Sequence, residues 1–168
     1  MTSAVVLLRA TPGPPNELHR LIPVLERDFE VFVPGLPGSD PDQVEAYAQH
    51  ILAELHDSGA QHPVVAGCDL GSQIAEAMAR AEPSYVWGLV ITPVTGADRP
   101  KLPPDQRVSV PVTVLWPERD PAFTAQSPGA LGDWFRHYEV IMVPACGHAV
   151  PLDAPEVMAA AIRERARL

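Results

Sequence analysis

Apolar residues fall into two alternating patterns along the chain. Short Val-, Ile- and Leu-rich runs read as strands: Ala4–Leu8, continuous and so covered on both faces, and then residues 29–33, 64–66, 86–91, 112–116 and 140–143. Between them the apolar positions recur at helical spacing. Leu18, Leu21, Ile22 and Leu25 share a face after Asn16, which can cap a helix. Val44, Tyr47, Ala48, Ile51, Leu52 and Leu55 do so in a helix that begins at Asp40 or Asp42 and closes at Gly59. A small-residue helix covers 72–82 and stops at Pro83, and a last helix covers 154–167 with Pro155 in its first turn. Strand and helix alternate throughout, which predicts a three-layer α/β sandwich: a parallel sheet of about six strands with helices on both faces.

Open parallel sheets bind ligands beyond the carboxyl ends of their strands, so the chemistry is expected in residues 9–13, 34–39, 67–71, 92–98, 117–120 and 144–148. In the third of these, Gly67-Cys68-Asp69-Leu70-Gly71 has the small-x-nucleophile-x-small form of a nucleophile elbow, and Ser72 to Ala77 supply a small-residue helix to pack beneath it. Centring the turn on Cys68 would put Leu70 at a flanking position that wants a small residue, so Asp69 is the better centre. Asp69 can instead be read as a plain helix cap, favoured by free backbone N–H groups and the helix dipole. Two further titratable residues, Asp120 and His148, follow later strands in the order that a triad of this kind requires.

Composition narrows the field. At 168 residues the chain holds one domain, 1–168, and the apolar runs are far below the ~20 residues that span a bilayer. Twelve basic against 21 acidic residues give a net charge of −9, which disfavours nucleic acid and anionic membrane surfaces as partners. The expectation is a soluble cytoplasmic protein acting on a small apolar molecule. Cys68 and Cys146 are expected as free thiols, and the 20 prolines punctuate loops. No metal is expected, because His19, His50, His56, His62 and His137 lack zinc-ligand spacing, and the absence of G-x-G-x-x-G or a phosphate-binding loop argues for no cofactor.

Several elements together resemble the α/β-hydrolase family. They are Pro12-Gly13 after the first strand, Pro34-Gly35-Leu36-Pro37-Gly38-Ser39 after the second, the elbow at 67–71, Glu82-Pro83 before the fourth strand, Trp116-Pro117-Glu118-Arg119-Asp120, and Gly147-His148-Ala149-Val150-Pro151 followed by Ala154-Pro155-Glu156. With aspartate in the elbow, the chain is similar to the branch that includes epoxide hydrolases and haloalkane dehalogenases. The resemblance implies Asp69 as nucleophile, His148 as general base and Asp120 as the acid that orients His148. It implies an oxyanion hole from the backbone N–H groups of Thr11 and Leu70. Asp98 is the runner-up orienting acid and Glu118 the third choice.

A carboxylate that attacks saturated carbon opens an epoxide or displaces a halide and leaves an alkyl ester that activated water can hydrolyse. On an ordinary ester it would form a mixed anhydride, so esterase activity is disfavoured. Departures from the family matter as well. Arg9-Ala10 stands where a His-Gly pair is usual, and Leu70 replaces the halide-binding tryptophan. Only residues 92–110 lie where a helical cap is usually inserted, and Tyr47, Tyr85 and Tyr138 are placed in or beside helices, outside that segment. A cap-less epoxide opener needs another acid: His148, a carboxyl in a dry pocket, or a thiol. Its open site is expected to be covered by a homodimer, through residues 100–111 and a helix around Trp134 and Phe135, or by the substrate itself.

The leading expectation is therefore a cofactor-free enzyme that uses Asp69 on an electrophilic carbon such as an epoxide. A second keeps the site but has Asp69 and His148 move protons, as a cyclase, isomerase or dehydratase on a multi-ring or polyketide-like intermediate. A third is a non-catalytic binding protein on the same fold.

Overall fold

The computed structural model describes residues 4–9, 17–36, 38–94, 99–120 and 128–167. Six strands form one sheet in the order β2-β1-β3-β4-β5-β6. They are β1 (Ala4–Leu8), β2 (Glu30–Phe32), β3 (Val64–Gly67), β4 (Gly88–Ile91), β5 (Val112–Pro117) and β6 (Tyr138–Val143), and every pairing is parallel. A parallel sheet needs a crossover between neighbours, and the apolar stripes supply the helices: α1 (Ile22–Leu25), α2 (Val44–Ser58), α3 (Leu70–Ala81), α4 (Val150–Asp153) and α5 (Pro155–Arg167).

Strand side chains alternate between two cores. Val6, Leu8, Val65, Leu89 and Val114 face the layer of α2 and α3, while Val5, Leu7, Val64, Val90 and Leu115 face α1, α4 and α5. The fold is thus the expected three-layer sandwich. Helix α2 is delimited as its sequence suggests. The Asp40 carboxylate accepts from the Asp42 N–H at 3.0 Å, a 3-10 turn (Pro41–Gln43) leads in, and Gly59 closes the helix at φ 78°.

Three local expectations need correction. The helix foreseen after Asn16 is regular only over Ile22–Leu25, with turns on either side. No α-helix surrounds Trp134 and Phe135: a 3-10 segment (Pro128–Asp133) ends before them, and Phe135 is 2% exposed and bridges Val108 in parallel. Val108 and Val110 are buried too, while most of residues 100–111 are exposed. Tyr138, placed beside a helix, instead opens β6. That strand is an edge whose burial is patchy, so its first residues carry no apolar run to read.

Because all strands are parallel, the segments after β1, β3, β4, β5 and β6 emerge at one end of the sheet. Between β4 and β5 the described residues, 92–94 and 99–111, contain no α-helix. Among the described residues no helix is long and apolar enough to cross a membrane.

Candidate active site

Only Cys68 and Asp69 separate β3 from α3, and the chain must reverse within them. Asp69 does so at φ 49°, ψ −115°, a conformation that costs a non-glycine residue about 1–3 kcal/mol. Both flanking glycines are required by close approach. A Cβ on Gly67 would lie 2.5 Å from the Gly71 carbonyl, and one on Gly71 would strike the carbonyl oxygens of Leu8 and Arg9. The turn is closed by the Gly71 N–H donating to the Cys68 carbonyl at 2.8 Å and the Thr92 N–H donating to the Gly67 carbonyl at 3.1 Å. The buried Ser72 hydroxyl also donates to Gly67 O, at 2.9 Å.

Asp69 occupies the N-cap position of α3, yet its side chain makes no capping hydrogen bond. Its Oδ2 lies 2.6 Å from His148 Nε2 instead. The simple capping role weighed for Asp69 is therefore not the one that this geometry realises. On the other side of the imidazole ring, Nδ1 lies 2.5 Å from Asp120 Oδ2. Asp120 is 5% exposed at its side chain, Asp69 25% and His148 51%, so the orienting carboxylate is interior and the ring between the two carboxylates is the most open to solvent.

Two turns hold these partners. After β5 the Arg119 N–H donates to the Cys146 carbonyl at 3.0 Å, and the Glu118 N–H donates to Val143 O at 3.1 Å. After β6, Ala145 turns at φ 57° with its N–H donating to Glu118 Oε2 at 3.3 Å. Glu118, the third-choice acid, thus ties the two turns together, while Asp120 faces the histidine. Leu70 is buried and opens α3, so its N–H sits at the first helical position, where no intrahelical acceptor exists. Thr11 and Asp98, named for the oxyanion hole and as runner-up acid, lie outside the described residues.

The hydrogen bond to Asp120, aided by the Asp69 charge, raises the His148 pKa above the ordinary imidazole value, against an opposing effect of burial. With both ring nitrogens facing carboxylate oxygens, the ring satisfies its neighbours best with an N–H on each side. Cys68 and Cys146 are free and buried. Burial pushes both thiols upward; for Cys68 it outweighs a hydrogen bond with Thr92, and for Cys146 the charges of Asp153 and Asp120 add to it. Both therefore stay protonated. The other five histidines are exposed, and among the described residues no three metal-ligating side chains gather.

A charged cluster escaped the sequence reading. Glu76 on α3 is 1% exposed, pairs with Arg99, and leaves Oε1 without a partner; burial raises its pKa against the pull of Arg99 and Arg80. The Arg99 guanidinium lies 4.6 Å from the centre of the Trp134 ring, and both border a cavity of about 240 Å³ with Gln73 and Leu102. The available signal was a lone charge within Ile74-Ala75-Glu76-Ala77-Met78-Ala79, where every neighbour is apolar.

This sheet order, elbow and placement of side chains define the α/β-hydrolase fold, and solved structures agree. Cfl2 of Burkholderia cenocepacia superposes with a TM-score of 0.82 at 14% identity, covering 97% of this chain and 87% of that one. An epoxide hydrolase of Bacillus megaterium gives 0.81 at 12% identity over 100% and 94%. A bacterial membrane phospholipase A gives 0.77 at 17% over 99% and 80%. Neighbours named for different reactions share the fold, so the fold does not choose the chemistry. No protein-family profile matches the chain, and no curated protein matches it.

Proposed function

We propose that the protein is a cofactor-free α/β-hydrolase-fold enzyme in which Asp69 attacks an electrophilic carbon, with an epoxide as the favoured substrate class. The observation that carries this reading is the Asp69–His148–Asp120 contact chain, with Asp69 uncapped and held at positive φ above the sheet. A strained backbone that exposes a carboxylate to a histidine, rather than to its own helix, is what a nucleophile needs. Attack opens the ring and leaves an alkyl ester on Asp69. His148, oriented by Asp120, then takes a proton from water, and the hydroxide attacks the ester carbonyl. The Leu70 N–H, and that of Thr11, would receive the developing oxyanion. Collapse releases the diol and restores the carboxylate. Several structural neighbours are named epoxide hydrolases, which supports the choice of substrate.

A second reading rests on the half-exposed His148 and on the short β4–β5 connection without a described helix. In it Asp69 and His148 only move protons, converting a multi-ring or polyketide-like intermediate by cyclisation, elimination or isomerisation. Product analysis with a panel of monosubstituted epoxides separates the two. The hydrolytic reading predicts diols, substrate plus one water, with formation abolished in Asp69→Ala and His148→Ala. Isomers of unchanged mass, or diols that persist in Asp69→Ala, would overturn it.

A further inference from the structure

Ring opening creates a basic oxygen that must receive a proton, and among the described residues no tyrosine hydroxyl is hydrogen-bonded to Asp69 or His148. The Tyr47 hydroxyl accepts from the Asp40 N–H at 3.2 Å, the Tyr85 hydroxyl donates to the Ala60 carbonyl at 2.8 Å, and Tyr138 opens β6, at the far end of that strand from the turn leading to His148. These are all three tyrosines of the chain. The thiols are weak acids in place: both are buried, and the Cys146 thiol donates to the Gly147 carbonyl at 3.3 Å. The Glu118 carboxylate is occupied as an acceptor by Ala145.

His148 is different. Asp69 faces it from the start of α3, and Asp120 from the turn after β5. That turn also carries Glu118, bound to Ala145, and the exposed Arg119, whose backbone holds Cys146. From α4, Asp153 places Oδ2 3.1 Å from the position that a Gly147 Cβ would take. The two carboxylates at the ring nitrogens are therefore anionic acceptors that favour a proton on each, and its pKa is raised accordingly.

We infer that His148 works twice, first as the imidazolium that protonates the departing oxygen and only then as the base that activates water. The inference rests on the nucleophile reading above. The proton balance closes. As the Asp69 oxygen bonds to carbon and the ring C–O bond breaks, the alkoxide takes the proton from Nε2 and leaves His148 neutral. Neutral His148 accepts a proton from water as hydroxide adds to the ester carbonyl. It returns that proton to the ester oxygen as the diol leaves, and the resulting Asp69 carboxylic acid reprotonates the imidazole. Substrates whose leaving oxygen needs a proton are thereby favoured over halides, which need none.

The test follows adduct formation on the Asp69 peptide by rapid quench and mass spectrometry, using styrene oxide and benzyl bromide. The wild type forms the adduct with both. His148→Gln slows the styrene oxide adduct by about 10²–10⁴-fold and the benzyl bromide adduct by less than about threefold. An undiminished styrene oxide adduct in the variant, or equal slowing with both electrophiles, overturns the acid role while leaving Asp69 as nucleophile. A wild type that forms no Asp69 adduct with either electrophile overturns both proposals. Should His148→Gln fail to fold, the wild-type pH profile decides. Styrene oxide adduct formation slows as pH rises through the raised His148 pKa while benzyl bromide stays flat over the same range; a flat profile for both overturns the acid role.

Discussion

Replacing Gly71 by alanine tests the elbow at its tightest point. The added methyl would meet the carbonyl oxygen of Arg9 at 2.7 Å and that of Leu8 closer still. Both obstacles are backbone atoms next to β1, in the middle region of the sheet, so neither can swing aside. Relief needs α3 to move away from β1 by about 0.5–1 Å, and overpacking of this kind costs about 1–3 kcal/mol. At about 2–4 °C per kcal/mol for a domain of this size, the melting temperature should fall by about 2–12 °C. Asp69 lies two residues away, so the same shift disturbs its 2.6 Å contact with His148, and a misplacement of about 1 Å can lower turnover about 10²-fold. Gly35→Ala is the control, because its Cβ would meet nothing within 4 Å. Urea denaturation and calorimetry of the two variants make the comparison. Equal stability and equal diol formation in Gly71→Ala and Gly35→Ala would refute the claim that close packing of the helix start fixes the site.

Other consequences follow from the charges. Asp120→Asn removes the largest cause of the raised His148 pKa, so the NMR titration midpoint of His148 should fall, and turnover should drop by about 10³–10⁴-fold; an unchanged midpoint contradicts the assigned contact. The raised His148 pKa means that the folded state holds this proton more tightly than the unfolded chain does. Its stabilisation is therefore complete below the unfolded pKa of about 6.5 and is lost as pH rises through the folded value, a trend that urea midpoints should show in the wild type and not in His148→Gln. Arg99→Ala leaves the Glu76 carboxylate with only the Arg80 guanidinium, at 3.9 Å, and should cost up to about 3–5 kcal/mol at pH 8. The loss should shrink toward pH 5, because burial has raised the Glu76 pKa and the neutral acid needs no guanidinium; a cost independent of pH would contradict that.

The fold was legible because its signals are local. The run AVVLL, the stripe from Val44 to Leu55 and the stop at Gly59 each state their element in a few adjacent residues. The elbow was legible for the same reason: Gly67 and Gly71 bracket Asp69, and the structure shows which backbone atoms exclude a Cβ at each. Order along the chain singled out Asp120 and His148, and the structure sets Asp69 and Asp120 on either side of the His148 imidazole ring. Features that depend on tertiary partners were not legible. Phe135 resembles a surface aromatic in the sequence, and only its bridge to Val108 takes it into the core. Glu76 is an ordinary helix formber by propensity, and its burial depends on Arg99 arriving from the β4–β5 connection. The two exposed residues that begin β6 lack an apolar run because an edge strand need not bury both faces.

The most direct measurement is a single turnover of an epoxide in water labelled with heavy oxygen, with enzyme in excess, followed by mass analysis of the peptide that contains Asp69. If Asp69 bonds to carbon and the ester is cleaved at its carbonyl, the label enters the Asp69 carboxylate and the first diol carries none. Label in the diol, with an unlabelled Asp69 peptide after demonstrated turnover, would contradict the account.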